Sequence, residues 1–432
     1  MDTGVFAADY SATPYWWRAA PPDTRDGGTL PAEVDIAIVG AGYTGLHAGI
    51  QTARAGLVTL VLDADVPGWG CSTRNGGQVS TSVKPSFASL SARFGPSLAT
   101  DILREGQASL DFTQRFIAGE GIDADFRVVG RFHGAHLAKS YDRLARDIAA
   151  PNPAFETGAY MVPRAGMAGE TGSGAYHGGA VFPRHASLDP GKYHRGLLQI
   201  CRHAGAQVVA GCRVTELERQ SRGFLLRTER GALRAGKVIL ATNGYSGPLS
   251  QWHRRRVVPI GSYVIATGEI PTPLMDRLFP TDRILSDTRR LVYYYRPSPD
   301  RSRVLFGGRV SLAESDPDRT GPVLLRELIR LFPDLRGTRI GHSWSGTVAY
   351  SFDTLMHAGE DAGLFHAMGY CGSGVGMAGY LGMRIGRRAA GLDGGETAFA
   401  RIPFPTRPLY TGSPWFLAPS VLVYRLRDRF GW

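Results

Sequence analysis

Gly40, Gly42 and Gly45 stand at G-x-G-x-x-G spacing in the stretch IVGAGYTGL, and Asp63 closes an apolar run 23 residues beyond Gly40. Glycines so spaced let a backbone turn tightly, approach a pyrophosphate and pack a helix closely on a strand. Tyr43 and Thr44 open that helix, whose first N–H groups and partial positive charge face the phosphates. An acid at the distance of Asp63 accepts from ribose hydroxyls and would repel the 2′-phosphate of NADP. The chemistry implied is dinucleotide binding, with NAD and FAD not yet separated; the plainer reading is a tight turn in some other α/β protein.

The elements needed to position these residues are legible on both sides. VDIAIVG, residues 34–40, is apolar and rich in β-branched residues, as a buried parallel strand is. Leu46, Ile50 and Ala53 recur at helical spacing, Gly56 suits a helix stop, and LVTLVLD makes a second strand ending in Asp63. Further on, Asp189 and Pro190 mark the start of another helix, followed by a strand. Between residues 251 and 344, strand-like runs (RVVPIGSYVIATGEI, RLVYYYRPS) alternate with the helical GPVLLRELIRLFP, which suggests an antiparallel sheet with helices beside it. No internal repeat is visible. The Gly/Ser-rich stretch from Gly166 to Gly179 reads as a loop, either a lid or channel edge or plain surface.

A second glycine-rich loop, GWGCSTRNGGQ from Gly68 to Gln78, follows the second strand. Here the chain resembles flavoproteins of the D-amino-acid oxidase (DAO) type, especially the γ-glutamylputrescine-oxidase-like amine oxidoreductases. In that group such a loop lines the flavin, which assigns Ser72, Arg74, Asn75, Gly76, Gly77 and Gln78 to the cofactor. A nicotinamide dehydrogenase has no reason for this loop. KVILATNGYSG is similar to the family strand that closes over the adenosine side, through Thr242, Asn243 and Gly244. LFHAMGYCGSGVGMAGYLG is similar to the C-terminal flavin motif, through Gly372, Ser373, Gly374, Val375 and Gly376. Val214, and Trp344 at the domain junction, complete the cofactor set. The resemblance runs from about Trp16 to the C-terminus.

The resemblance implies an FAD-dependent oxidoreductase that oxidises the C–N bond of an amine or amino acid by hydride transfer to flavin N5. It also implies an α/β fold: a discontinuous Rossmann-like FAD-binding domain (residues 1–84, 185–250 and 345–432) and an α+β substrate domain on an antiparallel sheet (85–184 and 251–344). Tyr263, Tyr293, Tyr295 and Arg309 are the candidate substrate contacts. Tyr293 and Tyr295 share one strand face, for which a cross-strand aromatic core is the competing reading; an arginine such as Arg309 can clamp a carboxylate. Two departures bear on mechanism. No cysteine lies between Trp344 and Gly359, so the FAD is expected to be non-covalent. Leu305 stands where sarcosine-oxidase types carry an oxygen-activating lysine, which puts direct use of O2 in question unless Lys84 substitutes. Two readings therefore stay open beside an oxidase: a dehydrogenase serving a quinone, cytochrome or protein acceptor, and a flavin-binding subunit without amine turnover of its own.

Composition narrows the remainder. The 432 residues carry a net charge of +11, with only four lysines among 49 basic residues. A basic field attracts FAD, acidic substrates or an anionic membrane, but no basic arm with interleaved aromatics demands nucleic acid. HRRRVV, residues 253–258, is the densest basic run and reads as solvated. Cys71, Cys201, Cys212 and Cys371 form no C-x-x-C pair, and no His/Cys cluster has ligand spacing, so no metal is expected. GHSWSG, residues 341–346, nearly matches a nucleophile elbow but lacks its final glycine. With no signal pattern and no apolar span free of glycine, a cytoplasmic protein with a small-molecule substrate is expected. The last stretch, PWFLAPSVLVYRLRDRFGW, mixes aromatics with arginines; it reads as a packed terminal helix, with peripheral membrane contact left open.

Overall fold

A computed structural model describes residues 4–81, 83–308, 316–361 and 363–431. Two large sheets organise the chain. The first is built on the glycine motif: strand Glu33–Val39, helix Tyr43–Arg54 and strand Thr59–Leu62, with the strands parallel and Ile38 opposite Val61. Gln207–Val209 extends it on one side and Gly231–Leu240 on the other, both parallel. Asp189 caps the helix Pro190–His203 by accepting from the N–H of Gly191 (2.8 Å) and Lys192 (3.0 Å), as its sequence signals predict. Leu364–Met368 joins the same sheet beside Gly231–Leu240 and leads into the helix Gly374–Ala389. That helix lies directly on Tyr43–Arg54: a Cβ on Gly382 would sit 2.4 Å from the Thr44 carbonyl oxygen, and one on Gly386 2.7 Å from Ala48. Two glycines thus let two helices approach backbone to backbone, with both N-termini at one end of the sheet.

The second sheet has nine strands and mixes pairings, with Phe6–Ser11 parallel to Ile340–Tyr350 and Ile284–Asp287 parallel to Arg131–Gly134. Phe6–Ser11 therefore belongs to this sheet and not to the nucleotide layer, where the sequence placed residues 1–84. A strand that needs its ladder on the far side of the chain carries no local mark of which sheet supplies it.

One face of this sheet is covered by the helix Pro317–Leu331, whose Leu324, Leu325 and Leu328 pack against Phe132, Tyr263, Ile265, Tyr295 and Phe306. The Gly166–Gly179 stretch also belongs to this core. Tyr176 is fully buried with its hydroxyl 2.8 Å from that of Tyr295, and Ser173 donates to the Leu331 carbonyl (2.7 Å). Gly166, Gly174 and His177 stay exposed, so the stretch is a surface loop anchored through these buried residues.

Two further expectations are corrected. Within HRRRVV, His253 is buried and Arg256 lies 3.7 Å above the Trp252 ring while donating to the Phe404 carbonyl, so the run is tucked in, not solvated. The C-terminal helix, Leu417–Phe430, buries Val421 alone and is largely exposed. Among the described residues no helix is long and apolar enough to cross a membrane.

Candidate flavin and substrate site

The glycine turn has the geometry that its spacing implies. Gly40 adopts φ +108°, a conformation L side chains rarely take. A Cβ on Gly45 would lie 1.8 Å from the Gly40 carbonyl oxygen, so helix and strand touch there. Gly42 caps the helix without a side chain, and its missing Cβ leaves the N-terminus open toward Ser72, whose Oγ accepts from the Tyr43 N–H (3.0 Å). At the neighbouring strand end, Asp63 accepts from the N–H of Ala41 (2.7 Å) and Asp65 (3.1 Å). Burial nonetheless pushes its carboxyl up to about 6. An acid held at a strand end with backbone donors on both oxygens, beside an uncovered helix N-terminus, fits the ribose and pyrophosphate of a dinucleotide.

The second loop proves to be a docking element. Arg74 is sandwiched between Trp17 and Trp69, 4.8 Å and 4.7 Å from their rings, and donates to the carbonyls of Trp69 and Ser345. Asn75 ties the loop to itself: its amide donates to the Cys71 and Ser72 carbonyls, and its oxygen accepts from the Gly77 N–H. Gly77 has φ +64° and lies against Leu188. Gln78 donates to the Leu285 and Tyr295 carbonyls, and Trp344, fully buried, donates to the Arg74 carbonyl (2.9 Å). These polar side chains are spent on shape, which leaves Ser72 and the backbone to meet a ligand.

The other cofactor segments converge similarly. Asn243, at φ +45°, accepts from the Gly369 N–H (3.0 Å) and so joins its own strand end to the C-terminal glycine turn. Thr242 bonds Ser246, and Gly244 lies against Thr347. Val214 is buried in the core with Val39 and Leu62. Cys371, at φ +53° and fully buried, donates to the Gly369 carbonyl, and burial pushes its thiol up, as for a packed side chain. Gly372 takes φ +90°, Ser373 caps the helix Gly374–Ala389, and Val375 and Gly376 turn inward at its first turn. The turn of GHSWSG lies inside strand Ile340–Tyr350 with no elbow.

The substrate side differs from the sequence reading. Tyr263 and Tyr295 sit in the helix-covered core of the nine-stranded sheet, and Tyr293 packs against it. Tyr293 and Tyr295 do share a face, but it is the face turned away from the glycine loops. Tyr294 points the other way: a Cβ on Gly76 would meet its ring at 2.9 Å, and its hydroxyl is 3.0 Å from that of Ser262. Leu305 lies on that same side, buried with Val264, Trp16 and Trp344. Arg309 lies outside the described residues.

Register carries the Tyr294 face across to two residues that sequence reasoning missed. Tyr294 pairs with Ser286, and Ser286 with His133, so His133 and Arg131 share that face while Phe132 between them enters the core. Burial pulls the Arg131 guanidinium down to about 10, its Nε has no hydrogen-bond partner, and no carboxylate among the described residues offsets it. Lys84, open to solvent yet surrounded by protein, is pulled down by burial and by Arg131. Its ammonium lies 5.7 Å from the Tyr350 ring, beside the Gly372 turn. His133, bonded to Ser286 (2.8 Å), is held neutral near 3 by burial and by these two cations. The only signal in the sequence was the alternation in RFHG, too short to read. No group of three or more His, Cys, Asp or Glu among the described residues is placed to hold a metal.

A mononucleotide-binding βαβ unit, a second glycine turn at a helix N-terminus and a covering mixed sheet define a flavin-dependent oxidoreductase. Residues 35–388 match the model of the DAO family, described as FAD dependent oxidoreductase, and the chain belongs to that family. It is 29% identical over 427 residues to the probable oxidoreductase OrdL of Rhizobium meliloti (strain 1021), covering 96% of this chain and 97% of that one. It is 28% identical over 410 residues to the gamma-glutamylputrescine oxidoreductase of Escherichia coli (strain K12), covering 92% and 93%. In fold it is similar to glycine oxidase from Geobacillus kaustophilus, with a TM-score of 0.71 and 20% identity over 88% of this chain and 99% of that one. L-proline dehydrogenase from P. horikoshii gives 0.70 at 14% identity, over 90% and 99%.

Proposed function

We propose that this enzyme oxidises the C–N bond of an amine or amino acid that carries an anionic group, which Arg131 and Lys84 hold between the nine-stranded sheet and the Gly372 turn. A partly buried arginine beside a lysine that is open to solvent, with no carboxylate among the described residues to offset the arginine, carries this reading. Withdrawing an arginine from water next to a second cation is unfavourable unless a counter-charge joins them. A substrate carboxylate supplies it, and an arginine holds a carboxylate with two parallel donors. Glycine and L-proline, named for two relatives of similar fold, are carboxylates beside an amine.

FAD, when bound, supplies the hydride acceptor. The chain's own residues then bind and orient. Arg131 fixes the anion, Tyr294 and Ser262 shape the wall beside Gly76, and the positive field of Arg131 and Lys84 favours the neutral, oxidisable form of the substrate amine. His133, kept neutral, adds no further charge. The four cysteines are free thiols, which supports the reducing, cytoplasmic setting that the sequence suggests.

The test is anaerobic bleaching of the flavin by amines in matched pairs, with and without a carboxylate. Faster bleaching by the anionic members is expected. Equal rates would remove the anion from the reading, and no bleaching by any amine would favour a flavin-binding subunit without its own turnover.

Two predictions arise from the cofactor side. The FAD is held non-covalently, because the strand and turn from Trp344 to Gly359 offer no thiol. Acid precipitation should leave the yellow colour, with the mass of FAD, in the supernatant; colour on the pellet would refute this. The acceptor is the other. Leu305 is sealed under Trp16 and Trp344 and places no cation on the flavin side. We expect reoxidation in air to lag behind an artificial acceptor in stopped flow. Should oxygen keep pace with turnover and Lys84→Met abolish that rate, the Lys84 ammonium is the oxygen-activating group.

A further inference from the structure

The C-terminal helix, Leu417–Phe430, turns a second apolar face away from the protein. At helical spacing Leu422, Leu426 and Phe430 form one row, with Val423 beside it. They are 54%, 39%, 57% and 46% exposed, and Trp415 just before the helix is 69% exposed. Val421, on the opposite side, is buried. The rotation is fixed by Asp428, whose carboxylate accepts from the backbone N–H of Arg290 (2.7 Å) and Leu291 (3.0 Å). Gly431 then ends the helix in a left-handed conformation, φ +73°, with its N–H on the Arg427 carbonyl. A helix pinned in this way cannot roll its leucines inward.

Charge says what covers this face. Arg425 and Arg429 flank the row on one side and Arg427 on the other, and all three are exposed. Asp428 is the single acid between residues 401 and 431, and it is turned into the protein. An apolar row edged on both sides by arginines, with a tryptophan at its start, suits a surface whose anionic headgroups overlie hydrocarbon. A second copy of this chain would bring arginines against arginines. The docked turn at Arg290–Leu291 joins strands Ile284–Asp287 and Tyr294–Pro297, which carry Ser286 and Tyr294 on the substrate face.

We propose that this helix seats the enzyme on an anionic lipid bilayer, with Leu422, Leu426 and Phe430 in the interface and the three arginines among the headgroups. The test is co-sedimentation of the holoenzyme with phosphatidylcholine vesicles, with and without about a third phosphatidylglycerol. Binding to the anionic vesicles is expected, weakened by salt. Leu422→Glu and Leu426→Glu together should lower the partition coefficient at least tenfold, and each of Arg425→Gln and Arg427→Gln roughly fivefold. Flavin content and turnover of a soluble amine should stay unchanged in all of them. Absence of binding to anionic vesicles overturns the proposal. So does a dimer in analytical ultracentrifugation that Leu426→Glu dissociates, which would make this face a contact between copies.

Discussion

Alanine at position 42 should give a folded and colourless protein. Gly42 has φ −79°, which any residue adopts, and among the described residues beyond its own helix and chain neighbours an added Cβ would come within 4 Å of the Ser72 Oγ alone, at 2.9 Å. That hydroxyl ends a flexible side chain and can rotate away. The methyl would then stand over the helix N-terminus, where the pyrophosphate must approach. Each hydrogen bond to a charged group is worth about 1.5–3 kcal/mol, so excluding the phosphates from several N–H donors weakens FAD by several decades. The ratio of flavin to protein absorbance after purification should fall to a few per cent, roughly, with the melting temperature of the apoprotein preserved. Gly45→Ala is the control. Its Cβ would lie 1.8 Å from the Gly40 carbonyl oxygen, backbone against backbone, so it should lose the fold along with the flavin. Full flavin occupancy in Gly42→Ala would place the phosphates elsewhere.

Arg131→Met should lose activity and gain stability. Losing a charged partner for the substrate anion removes about 1.5–3 kcal/mol, and more if the anion stays enclosed. At 1.36 kcal/mol per decade, kcat/KM for the best anionic amine should fall by about tenfold to several hundredfold. The spectrum of the bound flavin should barely change. The free protein should melt at the same or a higher temperature. Arg131 has its guanidinium pulled down to about 10 by burial, with no carboxylate among the described residues to offset it, and methionine removes that partly buried charge while keeping an unbranched side chain. A guanidinium serving the fold gives the opposite pattern, a lower melting temperature with kinetics intact, and that result would remove Arg131 from the substrate site. Lys84→Met should likewise lower kcat/KM, and the double variant should lose less than the sum if both cations hold one anion.

The local chemistry of this chain is written locally. Gly40, Gly42, Gly45 and Asp63 specify their turn because φ freedom, the absence of a Cβ and the reach of one βαβ unit are settled within about 25 residues. The Asp189 cap and the flavin family are legible for the same reason. What the sequence left open is which side of each strand faces what. Tyr293, Tyr294 and Tyr295 alternate whatever surrounds them, and a sheet covered on both faces shows no polar side to set the parity. Only the helix Pro317–Leu331, packing on Tyr295 and Phe306, decides that Tyr294 meets the glycine loop and that Arg131 and His133, two strand pairings away across the sheet, look at the same space. The C-terminal helix is the converse case. Its composition reads as packed because apolar residues occur all round it, and one hydrogen-bonded carboxylate, Asp428 on Arg290 and Leu291, determines which of them are left outside. Periodicity fixes that two faces exist; contacts between distant segments fix which of them the solvent, the core or a ligand receives.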